Sequence, residues 1–254
     1  ENGYFSGTIQ LDPCGVNADS SLPRDPEFYR SYAPSKHASK LPLNFRKVKH
    51  ANSPKRDLPK NYVFAPFQVD SDSQIARHGQ WVQDMEHFFT ILYSAVEAIP
   101  DLHVVIKEHP NTRNTLCHKM PTHKRIYFQN GRHTEELIRN ADAVVTINST
   151  VGIEALACEK PVVALGESVF AISGLVHQAA DADEVIRALS NVSELTFDAE
   201  LVDNFLQFIY YEFLSSESGC RAGHCFSSPS CFLAAYSSCP SASSASISAA
   251  STGR

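Results

Sequence analysis

The sequence predicts an α/β fold built on a doubly wound parallel sheet. Two observations carry this. Short apolar runs rich in β-branched residues recur between Tyr62 and Leu165, the composition of strands buried on both faces, and segments with helical spacing alternate with them. The chain is organised around the stretch Asp142 to Leu156, where Ala143 to Ile147 reads as a buried strand. Asn148, Ser149 and Thr150 are cap-type residues, and Val151, Ile153, Ala155 and Leu156 then follow a helical pattern. A strand-to-helix turn at Ser149 and Thr150 would gather backbone N–H groups, a helix dipole and two hydroxyls, which suits a phosphate. It is also what an ordinary capped helix looks like.

The other elements follow in order. Residues 1–59 carry few periodic segments and many turn dipeptides, such as Asp12-Pro13 and Ala33-Pro34. They read as the remnant of a preceding domain and an interdomain linker, with one helical turn at Phe28 to Tyr32. Residues 60–214 read as one α/β domain. Its predicted strands are Tyr62 to Val69, His103 to Lys107, Arg125 to Phe128, Ala143 to Ile147 and Pro161 to Leu165. Its predicted helices are Val82 to Ile99, Thr134 to Ala141, Asp183 to Leu189 and Val202 to Leu214, besides the one after Thr150. Residues 215–254 are rich in Ser, Ala and Cys with no hydrophobic period, and read as a disordered tail. The abrupt break after Phe205-Leu206-Gln207-Phe208-Ile209-Tyr210-Tyr211 is the pattern of a shifted reading frame.

Composition narrows the function classes. A chain of 254 residues with formal net charge -6 is not a nucleic-acid binder by charge, and no apolar run reaches the length of a membrane span. Its N-terminus has neither an initiator Met nor a signal-peptide pattern, so the chain reads as a piece of something longer. Cys14, Cys117 and Cys158 are widely separated and lack zinc-type spacing, which fits a reducing, cytoplasmic setting.

Three predicted strands end in polar clusters: Gln68-Val69-Asp70-Ser71-Asp72, Lys107-Glu108-His109-Pro110 and Asn148-Ser149-Thr150. In a parallel sheet these ends share one edge, where ligands bind. A carboxylate pair, a cation with an imidazole and a hydroxyl-bearing helix start would then converge on one cleft. Such a set suits transfer from a phosphate-linked donor: His109 and the helix end hold the leaving phosphate, and Asp70 or Asp72 acts at the reacting carbon. Glu154, a turn inside the helix, is placed either for simple electrostatics or to hold ribose hydroxyls. Asp70 and Asp72 also suit a turn, and His109 a strand end. Gly166, Glu167 and Ser168 close the next strand and would add N–H groups. His78, His87, His118, His123 and His133 read as solvent-exposed.

Taken in order, Gly3-Tyr4, Ile9-Gln10-Leu11-Asp12, Gly15-Val16-Asn17 and Ser21-Leu22-Pro23-Arg24 precede Phe67-Gln68-Val69-Asp70-Ser71-Asp72-Ser73-Gln74-Ile75, Lys107-Glu108-His109-Pro110 and Ile147-Asn148-Ser149-Thr150-Val151-Gly152-Ile153-Glu154-Ala155-Leu156. This series resembles the capsule polysaccharide biosynthesis and export proteins from Glu1 to about Leu214. The resemblance implies the C-terminal, Rossmann-like half of a GT-B glycosyltransferase, a retaining enzyme that uses CMP-Kdo as donor. It implies transfer of β-linked Kdo to a lysophospholipid (lyso-phosphatidylglycerol) or Kdo-lipid acceptor as the capsule linker. It further implies a cytoplasmic location, peripheral to the inner membrane of a Gram-negative cell, beside the capsule export machinery, with no metal or other cofactor demanded.

Lys-x-His-Pro and the Ser/Thr pair are similar to CMP-binding motifs of bacterial sialyltransferases. Carried over, His109 would contact the CMP phosphate, and Asn148, Ser149 and Thr150 would form its seat. Glu154 would hold the ribose, and Lys107 and Glu108 would shape the pocket. Asp70, slightly preferred to Asp72 because it follows the strand directly, would be the nucleophile of a double displacement. The family pattern continues Gly-Tyr with Leu-Arg-Pro, where this chain has Phe5-Ser6-Gly7. The rival readings are another GT-B enzyme using a UDP-sugar, a transferase or an epimerase, and a non-catalytic export scaffold.

Overall fold

The computed structural model describes residues 2–34, 37–38, 40–43, 45, 57–69, 73–112 and 115–216. Among them six parallel strands form one sheet: β2 (Val63–Pro66), β3 (Val104–Lys107), β4 (Ile126–Phe128), β5 (Ala143–Thr146), β6 (Val162–Ala164) and β7 (His177–Gln178). Their order across the sheet is β4-β3-β2-β5-β6-β7. The chain therefore leaves β2 in one direction, through β3 to β4, and returns to its other side with β5. That is the strand order of a Rossmann-like fold, and its switch point lies between β2 and β5.

The central strands are apolar at most successive positions because both faces are covered, whereas the edge strand β7 is His-Gln. Val63, Ala65, Val104, Ile106, Ala143, Val145 and Val163 share one core with α3 (Met85–Ala98) and α6 (Ala182–Ser190). Phe64, Val105, Val144, Val162 and Ala164 share the other with α4 (Thr134–Asn140), α5 (Val151–Ala157) and α7 (Ala199–Phe208). Aspartates start the helices: Asp84, Asp181 and Asp198 each accept from a backbone N–H in the first turn, at 2.7, 2.7 and 3.0 Å. α7 runs on into a π-helical turn, Ile209–Phe213.

The boundaries expected from sequence shift by a few residues, and four short elements lacked a pattern long enough to read. These are α2 (Ser73–His78), β7 and an antiparallel pair, β1 (Thr8–Ile9) with β8 (Ser215–Ser216). β8 uses the first two residues of the segment that reads as a tail; residues 217–254 lie outside the described residues. The N-terminal segment adds Tyr4, Phe5, Leu22 and Tyr29 to the same core as Phe205 and Leu206 of α7. In it the short helix α1 (Pro26–Arg30) packs Phe28 and Tyr29 edge-on against Phe208, with ring centroids 5.0 and 5.6 Å away.

Two histidines depart from the exposed positions expected of them. His78 is buried, with Nε2 3.1 Å from Asp19 Oδ1 and Nδ1 3.0 Å from Glu167 Oε2. His123 Nε2 lies 3.0 Å from Glu97 Oε1. Partners distant in sequence cannot be seen in a local pattern.

Candidate functional site

The carboxyl ends of β3, β2 and β5 are neighbours on one edge of the sheet. With strands about 4.8 Å apart, the ends of β3 and β5 stand roughly 10 Å from each other across β2. This brings the loop of His109 and the turn of Ser149 and Thr150 to the same edge. Asp70 and Asp72, the expected catalytic carboxylates after β2, lie outside the described residues. Their flanks do not: Gln68 precedes them in the chain and α2 begins directly after them.

Asn148 holds these flanks together. Its Oδ1 accepts from Gln68 Nε2 at 2.9 Å, its N–H donates to Gln68 Oε1 at 3.4 Å, and its Nδ2 donates to the Gln74 carbonyl at 2.9 Å. Both amides are buried, so the pairing satisfies groups that would otherwise be costly to desolvate. Asn148 thus fastens β5 to β2 and to α2.

Ser149 and Thr150 are half-buried at the start of α5. Three of the N–H groups expected there are already used. Val151 donates to Ser149 Oγ at 3.3 Å, and Gly152 and Ile153 donate to the carbonyls of Ser149 and Thr150 at 2.9 and 3.0 Å. Ser149 Oγ accepts that bond, which leaves its own proton to donate. What this turn offers an anion is therefore mainly hydroxyl protons and a dipole. The β6 end is similar, since the N–H groups of Gly166 and Glu167 donate to Ile147 and His78 carbonyls, both at 2.9 Å.

From β3, Lys107 turns inward: its Nζ donates to the Arg132 carbonyl at 2.5 Å. Burial pushes its pKa down, while Glu154 and Glu136 oppose the drop. Glu154, which acts on Lys107 through its charge, is itself buried in α5. Glu108 is buried too, and turns away from the edge into hydrogen bonds with Asn130 and the backbone of Leu116 and Cys117. His109 is half-buried at the edge. Its Nδ1 accepts from the Asn111 N–H at 3.1 Å, so the neutral ring carries its proton on Nε2.

Sequence reasoning missed three contributors to this edge. The turn after β4 supplies Asn130 and Arg132, and its Asn130-Gly131 dipeptide after an apolar run was the available signal. Gln68 pairs with Asn148, which no local pattern announces. Arg24 anchors the N-terminal loop near Glu167, its guanidinium donating to the carbonyls of Leu22 and Ala18 at 2.5 and 3.1 Å. Among the described residues, no group of three or more His, Cys, Asp or Glu side chains is disposed to hold a metal ion. No helix among them is long and apolar enough to cross a membrane.

The fold is that of one Rossmann-like half of a GT-B protein, with the ends of β3, β2 and β5 meeting at its switch point. The chain belongs to the capsule polysaccharide biosynthesis protein family, whose model matches residues 42–212. Protein FixF of Sinorhizobium fredii (strain NBRC 101917 / NGR234) is 43% identical, over 84% of this chain and 53% of its own. Capsule polysaccharide export protein KpsS of Escherichia coli is 29% identical, over 70% of this chain and 62% of its own. The chain thus spans 53% and 62% of the length of these two relatives. Among solved structures, Thermosulfurimonas dismutans KpsC, β Kdo 2,4 transferase, superposes with TM-score 0.53 at 15% identity, over 81% of this chain and 70% of that one. The β Kdo 2,7 transferase of the same KpsC gives 0.52 at 19%, over 81% and 67%. At such identities the likeness speaks for the fold.

Proposed function

We propose that the chain is the donor-binding half of a glycosyltransferase that moves Kdo from CMP-Kdo to a lipid acceptor in capsule synthesis. The observation that carries this is the convergence of three polar strand ends on the switch point of the sheet, within a capsule-synthesis family. The donor's single phosphate sits between the loop of His109 and the turn of Ser149 and Thr150. His109 Nε2–H and the two hydroxyls donate to its oxygens, which draws charge onto the leaving CMP. Glu154 takes the ribose hydroxyls.

The reacting carbon of Kdo then faces the loop that carries Asp70 and Asp72. Asp70 attacks it, the bond to the phosphate breaks, and CMP leaves with the electron pair. An acceptor hydroxyl next displaces the carboxylate and gives up its proton, so two inversions retain the β configuration. The acceptor is a lysophospholipid or Kdo-lipid presented at the inner membrane surface beside the export machinery.

The test is transfer from CMP-Kdo to lyso-phosphatidylglycerol by the full-length protein of this locus, with Asp70→Ala, Asp72→Ala and His109→Ala beside it. A β-linked product lost with Asp70→Ala and His109→Ala supports the reading. Equal transfer by all variants overturns the site, and donor competition by UDP but not CMP overturns the donor.

A further inference from the structure

The loop that carries His109 is fixed by the side chain one residue before it. Glu108 is 5% exposed, and both its carboxylate oxygens are committed. Oε1 accepts from the N–H of Leu116 and, at 3.2 Å, from that of Cys117; Oε2 accepts from Asn130 Nδ2 at 2.6 Å. Asn130 returns a bond, its Oδ1 accepting from the Glu108 N–H at 2.9 Å. Asn130 lies in the turn after β4, and Lys107 grips the carbonyl of Arg132 in that same turn. Lys107, the last residue of β3, and Glu108 directly after it thus reach sideways to one turn.

We infer that Glu108 is a positioning residue that locks the His109 loop to the turn after β4, making residues 129–134 a fourth wall of the donor cleft. The inference rests on the donor reading for the word donor, and on hydrogen bonds alone for the lock. A carboxylate taken out of water loses strong hydration, which its N–H donors offset only if the loop keeps one conformation. Glu108 therefore couples its own burial to the placement of His109. It touches no donor atom itself.

The chemistry of the pair supplies a sharp test. In Glu108→Gln the new Nε2 would face Asn130 Nδ2, donor against donor. Flipping Asn130 only moves the conflict to the Glu108 N–H. In Asn130→Asp two carboxylates oppose each other. The double variant Glu108→Gln/Asn130→Asp satisfies every group again: Gln Oε1 accepts from Leu116 and Cys117, Gln Nε2 donates to one Asp oxygen, and the other oxygen accepts from the backbone of residue 108.

The measurements are amide exchange at Leu116 and Cys117 by NMR, and the dissociation constant for CMP, on wild type and all three variants. Exchange should rise about tenfold or more in each single variant, the scale of a lost charge-assisted hydrogen bond, and return to within about threefold in the double. CMP binding should weaken and recover in parallel. Unchanged exchange in Glu108→Gln, or a double variant no better than the worse single, overturns the lock. A wild type that binds CMP while Glu108→Gln binds it equally well, with exchange raised, overturns the positioning role. A wild type that binds no CMP removes the donor reading, and the exchange pattern still decides the lock.

Discussion

Gln68 and Asn148 join side-chain amide to side-chain amide at 2.9 Å across the point where the sheet reverses its winding. They lie 80 residues apart in sequence and tie the end of β2 to the end of β5. An amide pair suits this place. It supplies both donor and acceptor, carries no charge to desolvate, and lets Asn148 spare its Nδ2 for the Gln74 carbonyl.

Asn148→Leu should therefore act on stability as well as on binding. It strands the buried Gln68 amide, at a cost of about 1–3 kcal/mol for a polar group left without a partner or water. Urea denaturation followed by circular dichroism reads the loss. A midpoint equal to wild type would mean that the pairing contributes nothing net.

Gly152 tests how closely α5 seats on the rest of the fold. A methyl group there would meet the Phe170 ring at 2.4 Å, and Phe170 is fully buried. Gly152→Ala should cost about 1–3 kcal/mol, and Phe170→Leu in the same chain should recover part of it. Thermal unfolding of the two single variants and the double gives the coupling.

His109 separates binding from folding. Its ring is half-buried and its Nδ1 bond is to a local N–H, so His109→Ala should leave the unfolding midpoint nearly unchanged. CMP binding should weaken about tenfold or more, the scale of one charge-assisted hydrogen bond to phosphate. Calorimetric titration of both proteins checks this.

Tyr62 gives an alkaline signature. Burial pushes its phenol up to about 12 from 10.0, and its hydroxyl donates to the Leu137 carbonyl at 2.9 Å. A raised folded pKa means stability that is full below the unfolded value and lost as pH climbs through the folded one. The stability difference between wild type and Tyr62→Phe should therefore be flat below about pH 10 and shrink between there and about 12. Denaturation series at pH 8 to 12 measure it, and a difference that grew with pH would contradict the assignment.

Much of the fold could be read in the sequence because its strands are buried on both faces. A run such as Ala143 to Ile147 is legible because four of its five positions are apolar and three of them β-branched, and the polar residues that follow each run mark the strand ends. The short pieces were not legible. β7 is a two-residue edge strand, and α2 has one apolar turn after a polar loop. The site was legible as a set of strand ends and illegible as roles. Lys107 and Glu108 are expected from sequence to shape a pocket, and their side chains turn to Arg132 and Asn130, partners that only the neighbouring strand brings near. His78 escaped for the same reason, since Asp19 and Glu167 are distant in sequence.

The central claim is that the edge formed by the ends of β3, β2 and β5 seats the nucleotide. Titrating isotopically labelled protein with CMP and following backbone amide shifts tests it most directly. The account predicts saturable shifts concentrated at Gln68, Val69, His109, Ser149, Thr150 and Gly152. Shifts confined to the opposite edge, around Asn61, Asp101 and Lys160, or none at millimolar CMP, would contradict it.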